Sequence, residues 1–261
     1  MYFVDVQGTL IDDRAQAPIP GAADFIDALN RNHTPYLVVT NNTKRASSDF
    51  LAYLQSLGFA IPQNRYLDAL MLLERDVPKK GVAAYGSETF LAQLDAMGYE
   101  RDYESPATVL LSVRADYGTE DFAQMITFLM NGARLVGMHD TTLYATQERR
   151  FPGVGALLRM LSYAASVPFT VVGKPSEAFY GEALRLLRTQ CPDAAYEGVT
   201  MISDDYAGDL TGAAALGMRT VLVLSGKVRP EDALAARLRR EESGTVVYND
   251  VTEIPSGKSV K

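Results

Sequence analysis

The chain has 261 residues, 47% of them hydrophobic, and a formal net charge of −7 from 25 Lys and Arg against 32 Asp and Glu. That length suits one large domain or a domain with an inserted module, and an acidic balance without basic runs argues against nucleic acid and anionic membrane as partners. The single cysteine, Cys191, rules out an internal disulfide and fits a reducing cytosol, and with only His33 and His139 beside it a His/Cys zinc site is all but excluded, so a metal would be a hard cation held by carboxylates.

Residues 2–10, Tyr-Phe-Val-Asp-Val-Gln-Gly-Thr-Leu, run from apolar side chains into a carboxylate and a glycine turn. This reads as a strand buried on both faces, with Asp5 at its carboxyl end. The N-terminal residues show no basic segment followed by a long apolar stretch, and no run is long enough to span a bilayer. A cytoplasmic protein without a signal peptide is therefore expected. A helix follows over 22–30, where Ala22, Phe25, Ile26 and Leu29 recur at helical spacing. A second buried strand, 36–40, runs into Thr40-Asn41-Asn42-Thr43. Further helices are expected over 47–57, closed by Gly58, and over 64–75, before Pro78.

The middle third has its own alternation, with strands at 82–85, 108–113, 135–138 and 143–145 and helices at 88–97, 119–130 and 154–165. The last third returns to the opening pattern. A strand at 169–172 leads into Gly173-Lys174-Pro175-Ser176 and a helix over 177–189. A strand at 199–202 leads into Ser203-Asp204-Asp205-Tyr206-Ala207-Gly208-Asp209 and a helix to 216, before strands at 220–224 and 246–248. Strands alternating with helices predict an α/β fold, a Rossmann-like doubly wound parallel sheet. The core is placed at 1–78 and 169–261, with an inserted α/β module at 79–168 hinged near Pro78 and Pro168.

Four of the expected strands end in Asp5, Thr40, Lys174 and Asp204, which a single parallel sheet would bring to one edge. Asp5, Asp204 and Asp209 would repel one another without a cation, and Mg²⁺ accepts carboxylates, a carbonyl and waters. Lys174 and Thr40 then suit an anion with several oxygens, of which phosphate is the obvious case. Each residue also has a plainer reading. Asp5 alone could cap a turn, Asp205 suits a helix N-terminus, Ser176 a helix cap, and Lys44 and Arg45 a solvated surface.

Asp5-Val6-Gln7-Gly8-Thr9, Thr40-Asn41-Asn42-Thr43, Gly173-Lys174-Pro175-Ser176 and Asp204 with Asp209, in that order, resemble the haloacid dehalogenase-like superfamily. The resemblance is to its branch of p-nitrophenyl phosphatase, nucleotide phosphatase and pyridoxal phosphate phosphatase-like proteins, which carry a large α/β cap domain. It implies a Mg²⁺-dependent phosphatase of a small phosphorylated metabolite. Asp5 would be the nucleophile that forms an aspartyl-phosphate. Thr40 and the Asn41 backbone N–H, with Asn42, would hold phosphate oxygens, and Lys174 would neutralise the phosphate and steady Asp5. The metal group would be Asp5, the Gln7 carbonyl and Asp204, with Asp209 orienting waters or Lys174 from behind. Asp140 matches the last position of the family's Asn-Pro-Asp cap loop, a substrate-binding element, whereas Met138 and His139 depart from it. Relatives often dimerise through the cap, so a homodimer is a candidate assembly.

The main departure is Gln7, which stands where these phosphatases carry a second Asp that protonates the leaving oxygen and then deprotonates the attacking water. An amide cannot do that work. Three outcomes stay open. Asp12, Asp13 or His139 supplies the proton; or the substrate has a leaving group needing little protonation; or turnover is lost and a phosphate-ligand-binding or regulatory protein remains. A phosphotransferase with an acceptor other than water is a further alternative.

Overall fold

The computed structural model describes residues 1–145, 150–240 and 244–255. The parts of the expected core and cap that fall on 146–149, 241–243 and 256–261 lie outside the described residues. The chain forms two compact units, one of 1–40, 48–67 and 180–261, the other of 41–47 and 68–179.

The first unit is built on a six-stranded sheet in the order Thr245–Tyr248, Arg219–Val223, Thr200–Ser203, Tyr2–Val4, Tyr36–Thr40 and Tyr66–Asp68, whose last residue belongs to the second unit. The registered pairs are parallel, with Val4 opposite both Ile202 and Val38. Written by strand rank this is the 3-2-1-4-5-6 order of the Rossmann fold, and the order reverses between Tyr2–Val4 and Thr200–Ser203. Both faces of the opening strand are covered. Tyr2 and Val4 pack with Phe25, Ile26 and Leu29 of the helix Ala22–Arg31. Phe3 points the other way and stacks on Tyr180 with ring centroids 6.3 Å apart. Burying a side chain such as Phe3 contributes about 1.5–3 kcal/mol.

The second unit has a four-stranded parallel sheet in the order Val82–Tyr85, Thr108–Leu111, Arg134–Gly137 and Phe169–Val171. Helices Thr119–Met130 and Val154–Ala165 bury Met125, Phe128, Leu129, Leu158 and Leu161 against Val109, Leu111 and Leu135. A small antiparallel pair, Leu143–Ala145 with Arg150–Pro152, is appended. Among the described residues no helix is long and apolar enough to cross a membrane.

Two expectations change. The helix expected over 64–75 is a strand, Tyr66–Asp68, followed by the helix Ala69–Asp76, because Asp68 caps that helix by accepting the Met71 N–H at 3.1 Å. More consequentially, the strand before Lys174 does not join the six-stranded sheet. Phe169 pairs with Leu135 at the edge of the second unit's sheet, and Thr170 faces solvent there. Lys174 therefore does not share a sheet edge with Asp5, Thr40 and Asp204. The helix Ala233–Arg240 was not expected at all.

Candidate active site

The strand order places the chemistry of the first unit. At the reversal the carboxyl ends of two adjacent strands diverge and leave a crevice, where open α/β sheets take their ligands. Asp5 follows the first of those strands and Asp204 the second, and the Asp5 backbone N–H donates to the Ile202 carbonyl at 2.9 Å. Both carboxylates are buried, Asp5 at 6% and Asp204 at 2% exposure. Burial, and next the charge of Asp5, hold the Asp204 carboxyl well above the usual carboxylate range, against the opposing pull of Lys227.

Asp204 is gripped from two sides by glycine backbone. A Cβ at Gly8 would stand 2.1 Å from its Oδ2 and one at Gly226 1.9 Å, and Gly8 has a φ of +71° that favours glycine anyway. The Lys227 backbone N–H donates to the same oxygen at 2.6 Å, and the Lys227 ammonium pairs with Asp205. Two nearby buried carboxylates are stable when a cation lies between them. Mg²⁺ is held by one or two carboxylates and keeps several waters, so Asp5 and Asp204 with the Gln7 carbonyl are a donor set that fits it. Among the described residues no group of three or more His, Cys, Asp or Glu side chains gathers for a metal. Asp209 is buried too, but its Oδ2 accepts the Ser203 hydroxyl at 2.8 Å and its carbonyl accepts the Tyr180 hydroxyl at 3.2 Å.

Thr40 is fully buried at the end of the neighbouring strand, and its hydroxyl donates to Gln7 Oε1 at 2.9 Å. The amide at the departed position thus engages the side chain that the family resemblance gives to phosphate. Asp205 sits where a helix-terminal acid is expected, accepting the Gly208 N–H at 2.8 Å.

In the second unit Lys174 is 2% exposed. Asn41 Oδ1 accepts its N–H at 2.8 Å, and Asn41 Nδ2 donates to its carbonyl at 3.2 Å. Asn42 is tied to Asp68. Both oxygens of Asp140 accept from the Arg159 guanidinium, at 2.5 and 3.0 Å. Ser176 is a helix cap, accepting the Phe179 N–H at 3.1 Å.

The proton candidates separate. Asp12 accepts the Ala15 and Arg14 N–H groups, which lower its carboxyl and make it a poor acid. Asp13 has an open surface, yet the atoms crowding its carboxyl raise it, opposed by Lys227. His139 is buried in the second unit with Nδ1 3.0 Å from the Thr141 hydroxyl. Lys227 and Asp68 escaped the sequence reading. Lys227 had a signal, since it follows Ser225-Gly226 just past a strand adjacent to that of Asp204.

The Haloacid dehalogenase-like hydrolase model matches residues 2–100, and a HAD-hydrolase-like model matches 171–254. A haloacid dehalogenase-like hydrolase domain-containing protein 2 from Bos taurus is 32% identical over 231 residues, 88% of this chain and 85% of the relative. A 5'-nucleotidase of Bacillus subtilis is 26% identical over 88% of this chain and 89% of its own length. Among solved structures, a p-nitrophenyl phosphatase from Archaeoglobus fulgidus superposes with a TM-score of 0.77 at 24% identity, over 96% of this chain and 95% of that one, a likeness of fold. The fold, the matched segments and the relative at 32% identity agree: the chain belongs to the haloacid dehalogenase-like hydrolase family.

Proposed function

We propose that the protein is a Mg²⁺-dependent phosphomonoesterase of a small phosphorylated metabolite, acting through an aspartyl-phosphate at Asp5. The observation that carries the reading is the buried Asp5–Asp204 pair at the strand-order reversal, with the Thr40 hydroxyl on the adjacent strand. Relatives named as a 5'-nucleotidase and as a phospholysine phosphohistidine inorganic pyrophosphate phosphatase support the phosphate chemistry.

In the first step an Asp5 carboxylate oxygen forms a bond to phosphorus while the bond from phosphorus to the leaving oxygen breaks. The leaving oxygen takes a proton from solvent or an acid. In the second step water attacks phosphorus, the bond to Asp5 breaks, the carboxylate returns, and the water's proton leaves with phosphate or solvent. Phosphoryl transfer depends chiefly on positioning and charge neutralisation. Asp5, the Gln7 carbonyl and Asp204 would hold Mg²⁺, which when bound would supply the second of these for the phosphate oxygens, with Asp209 bracing from behind through Ser203. The Asn41 N–H holds a phosphate oxygen and Lys174 neutralises the group, and the Thr40 hydroxyl joins them when it turns from Gln7 Oε1 to phosphate. A division into core and inserted cap, with the strand Phe169–Val171 on the cap's sheet, a cytoplasmic location and a cap-mediated homodimer belong to the same reading.

Gln7 supports a second reading, a protein that keeps anion and metal binding with little turnover. Phosphate release from a broad panel, with and without Mg²⁺, in wild type and Asp5→Asn, tests the first. Metal-dependent release abolished by Asp5→Asn is expected. Release equal in the two proteins would refute it, and thermal stabilisation by phosphometabolites without release would favour the binding protein.

A further inference from the structure

The side chains of half-buried Asn41 and buried Asn42 each hold a stretch of backbone by hydrogen bonds. Asn41 holds both backbone polar groups of Lys174, donating to its carbonyl at 3.2 Å and accepting its N–H at 2.8 Å. Glycine is required next to this grip, since a Cβ at Gly173 would stand 2.3 Å from Asn41 Oδ1 and 2.6 Å from the Met138 carbonyl. Asn42 folds the following turn on itself. Its Nδ2 donates to the Arg45 carbonyl at 2.7 Å, and its Oδ1 accepts the Lys44 and Arg45 N–H groups at 3.3 Å.

Behind that turn lies Asp68, fully buried. Its Oδ2 accepts Asn42 Nδ2 at 3.0 Å, and its Oδ1 accepts the Ser47 hydroxyl at 2.8 Å and the Met71 N–H at 3.1 Å. Both ends of the 41–47 segment therefore hang on one carboxylate. A carboxylate accepts at both oxygens, and bonds to it are stronger than neutral ones.

We propose that Asp68 is a positioning residue for Lys174: it fixes the turn at Asn42, the turn fixes Asn41, and Asn41 sets the backbone from which the ammonium projects. The inference rests on the reading that Lys174 neutralises a bound phosphoryl group. Beside capping the helix through the Met71 N–H, Asp68 accepts from Asn42 and from Ser47, near the two ends of the segment whose Asn41 grips Lys174.

Asp68→Asn separates these roles. Asn caps a helix as well as Asp, so the Met71 bond is kept, but an NH₂ group now faces the Asn42 NH₂. The measurement is calorimetric affinity for inorganic phosphate in the presence of Mg²⁺, beside affinity for Mg²⁺ alone. Asp68→Asn is expected to weaken phosphate about tenfold, the scale of one hydrogen bond to a charged group, and to leave Mg²⁺ within twofold. Phosphate affinity unchanged in Asp68→Asn, or equal weakening of phosphate and Mg²⁺, overturns the positioning role. Should Asp68→Asn not fold, Ser47→Ala carries the test, with about threefold weaker phosphate expected and an unchanged value overturning the role. Wild type that binds no phosphate overturns the phosphatase reading and this inference together, whereas wild-type binding with an indifferent variant overturns this inference alone.

Discussion

Replacing Gln7 by Asp is the perturbation that most directly probes the site. Gln7 cannot exchange a proton, yet its Oε1 accepts the Thr40 hydroxyl at 2.9 Å. The substitution makes two changes at once. It installs a titratable carboxyl on the residue whose carbonyl is assigned to the metal, and it shortens the side chain by one methylene, which frees the Thr40 hydroxyl for phosphate. The lost hydrogen bond costs about 0.5–1.5 kcal/mol of stability, while positioned acid–base catalysis contributes roughly 10²–10⁴ in rate, about 3–5 kcal/mol of barrier. Turnover should therefore rise even as the melting temperature falls slightly. The assay is phosphate release at saturating Mg²⁺ from an alkyl phosphate, whose leaving group needs a proton, and from p-nitrophenyl phosphate, whose leaving group needs little. Gln7→Asp should raise kcat on both esters by about 10² or more, because both pass through the same aspartyl-phosphate, whose hydrolysis needs a base. Gln7→Glu, which keeps the reach and hence the Thr40 bond, should recover less. No rise on the alkyl ester in a variant that still binds phosphate would mean that the wild-type site has its own proton route, and the deficit assigned to Gln7 would be wrong.

Gly226→Ala should weaken Mg²⁺ by tenfold or more, because the new Cβ would stand 1.9 Å from Asp204 Oδ2 and drive that carboxylate aside; calorimetry reads it, and an unchanged affinity counts against Asp204 as a ligand. Asp140→Asn breaks the paired contact to Arg159, a side chain 57% exposed, so about 0.2–1 kcal/mol of stability should go while KM moves less than threefold; a large KM change with no loss of stability would return Asp140 to substrate binding. The pH dependence follows from Asp204, whose carboxyl burial raises above its unfolded value of about 3.9. The folded metal-free protein then binds more protons than the unfolded one, so this group costs stability increasingly as pH rises from about 4 through its raised value. Relative to Asp204→Asn, metal-free wild type should lose melting temperature across that rise, and Mg²⁺ should restore more at pH 7 than at pH 5. A difference between the two proteins that is flat with pH would contradict the buried-pair argument.

What was legible in the sequence depended on range. The Asp5 strand announced itself because burial on both faces demands unbroken apolar residues, and Tyr2, Phe3 and Val4 are all at 4% exposure or less. The strand before Lys174 was visible, but its sheet was assigned wrongly. Its alternation, with Thr170 exposed between Phe169 and Val171, was the mark of an edge strand with one wet face. Tyr66-Leu67-Asp68 was too short for periodicity to separate strand from helix, though an Asp just before an apolar run is a cap signal. The contacts that set chemical roles join residues remote in sequence: Gln7 to Thr40, Asn41 to Lys174, Arg159 to Asp140. No local pattern encodes such partners, so Asp140 reads as a substrate group although its side chain is engaged by Arg159.

Accepting a phosphoryl group and giving it up to water place different demands on the residue at position 7. Acceptance needs the carbonyl at Gln7, which any residue supplies, together with a nucleophile and a charge screen. Release needs a base to take the water's proton, which only a titratable side chain supplies. A chain that keeps Asp5, Asp204 and their glycine cradle while carrying an amide at position 7 retains the first demand and relaxes the second. With p-nitrophenyl phosphate, whose leaving group needs little protonation, the step expected to slow is therefore hydrolysis of the aspartyl-phosphate, not its formation. A rapid stoichiometric burst of leaving group followed by a slow steady state is the expected signature, and a strong amine or alcohol nucleophile should shorten the slow phase. A linear time course from the first turnover would place the barrier in the first step instead, and would make protonation of the leaving oxygen the function that the amide lacks.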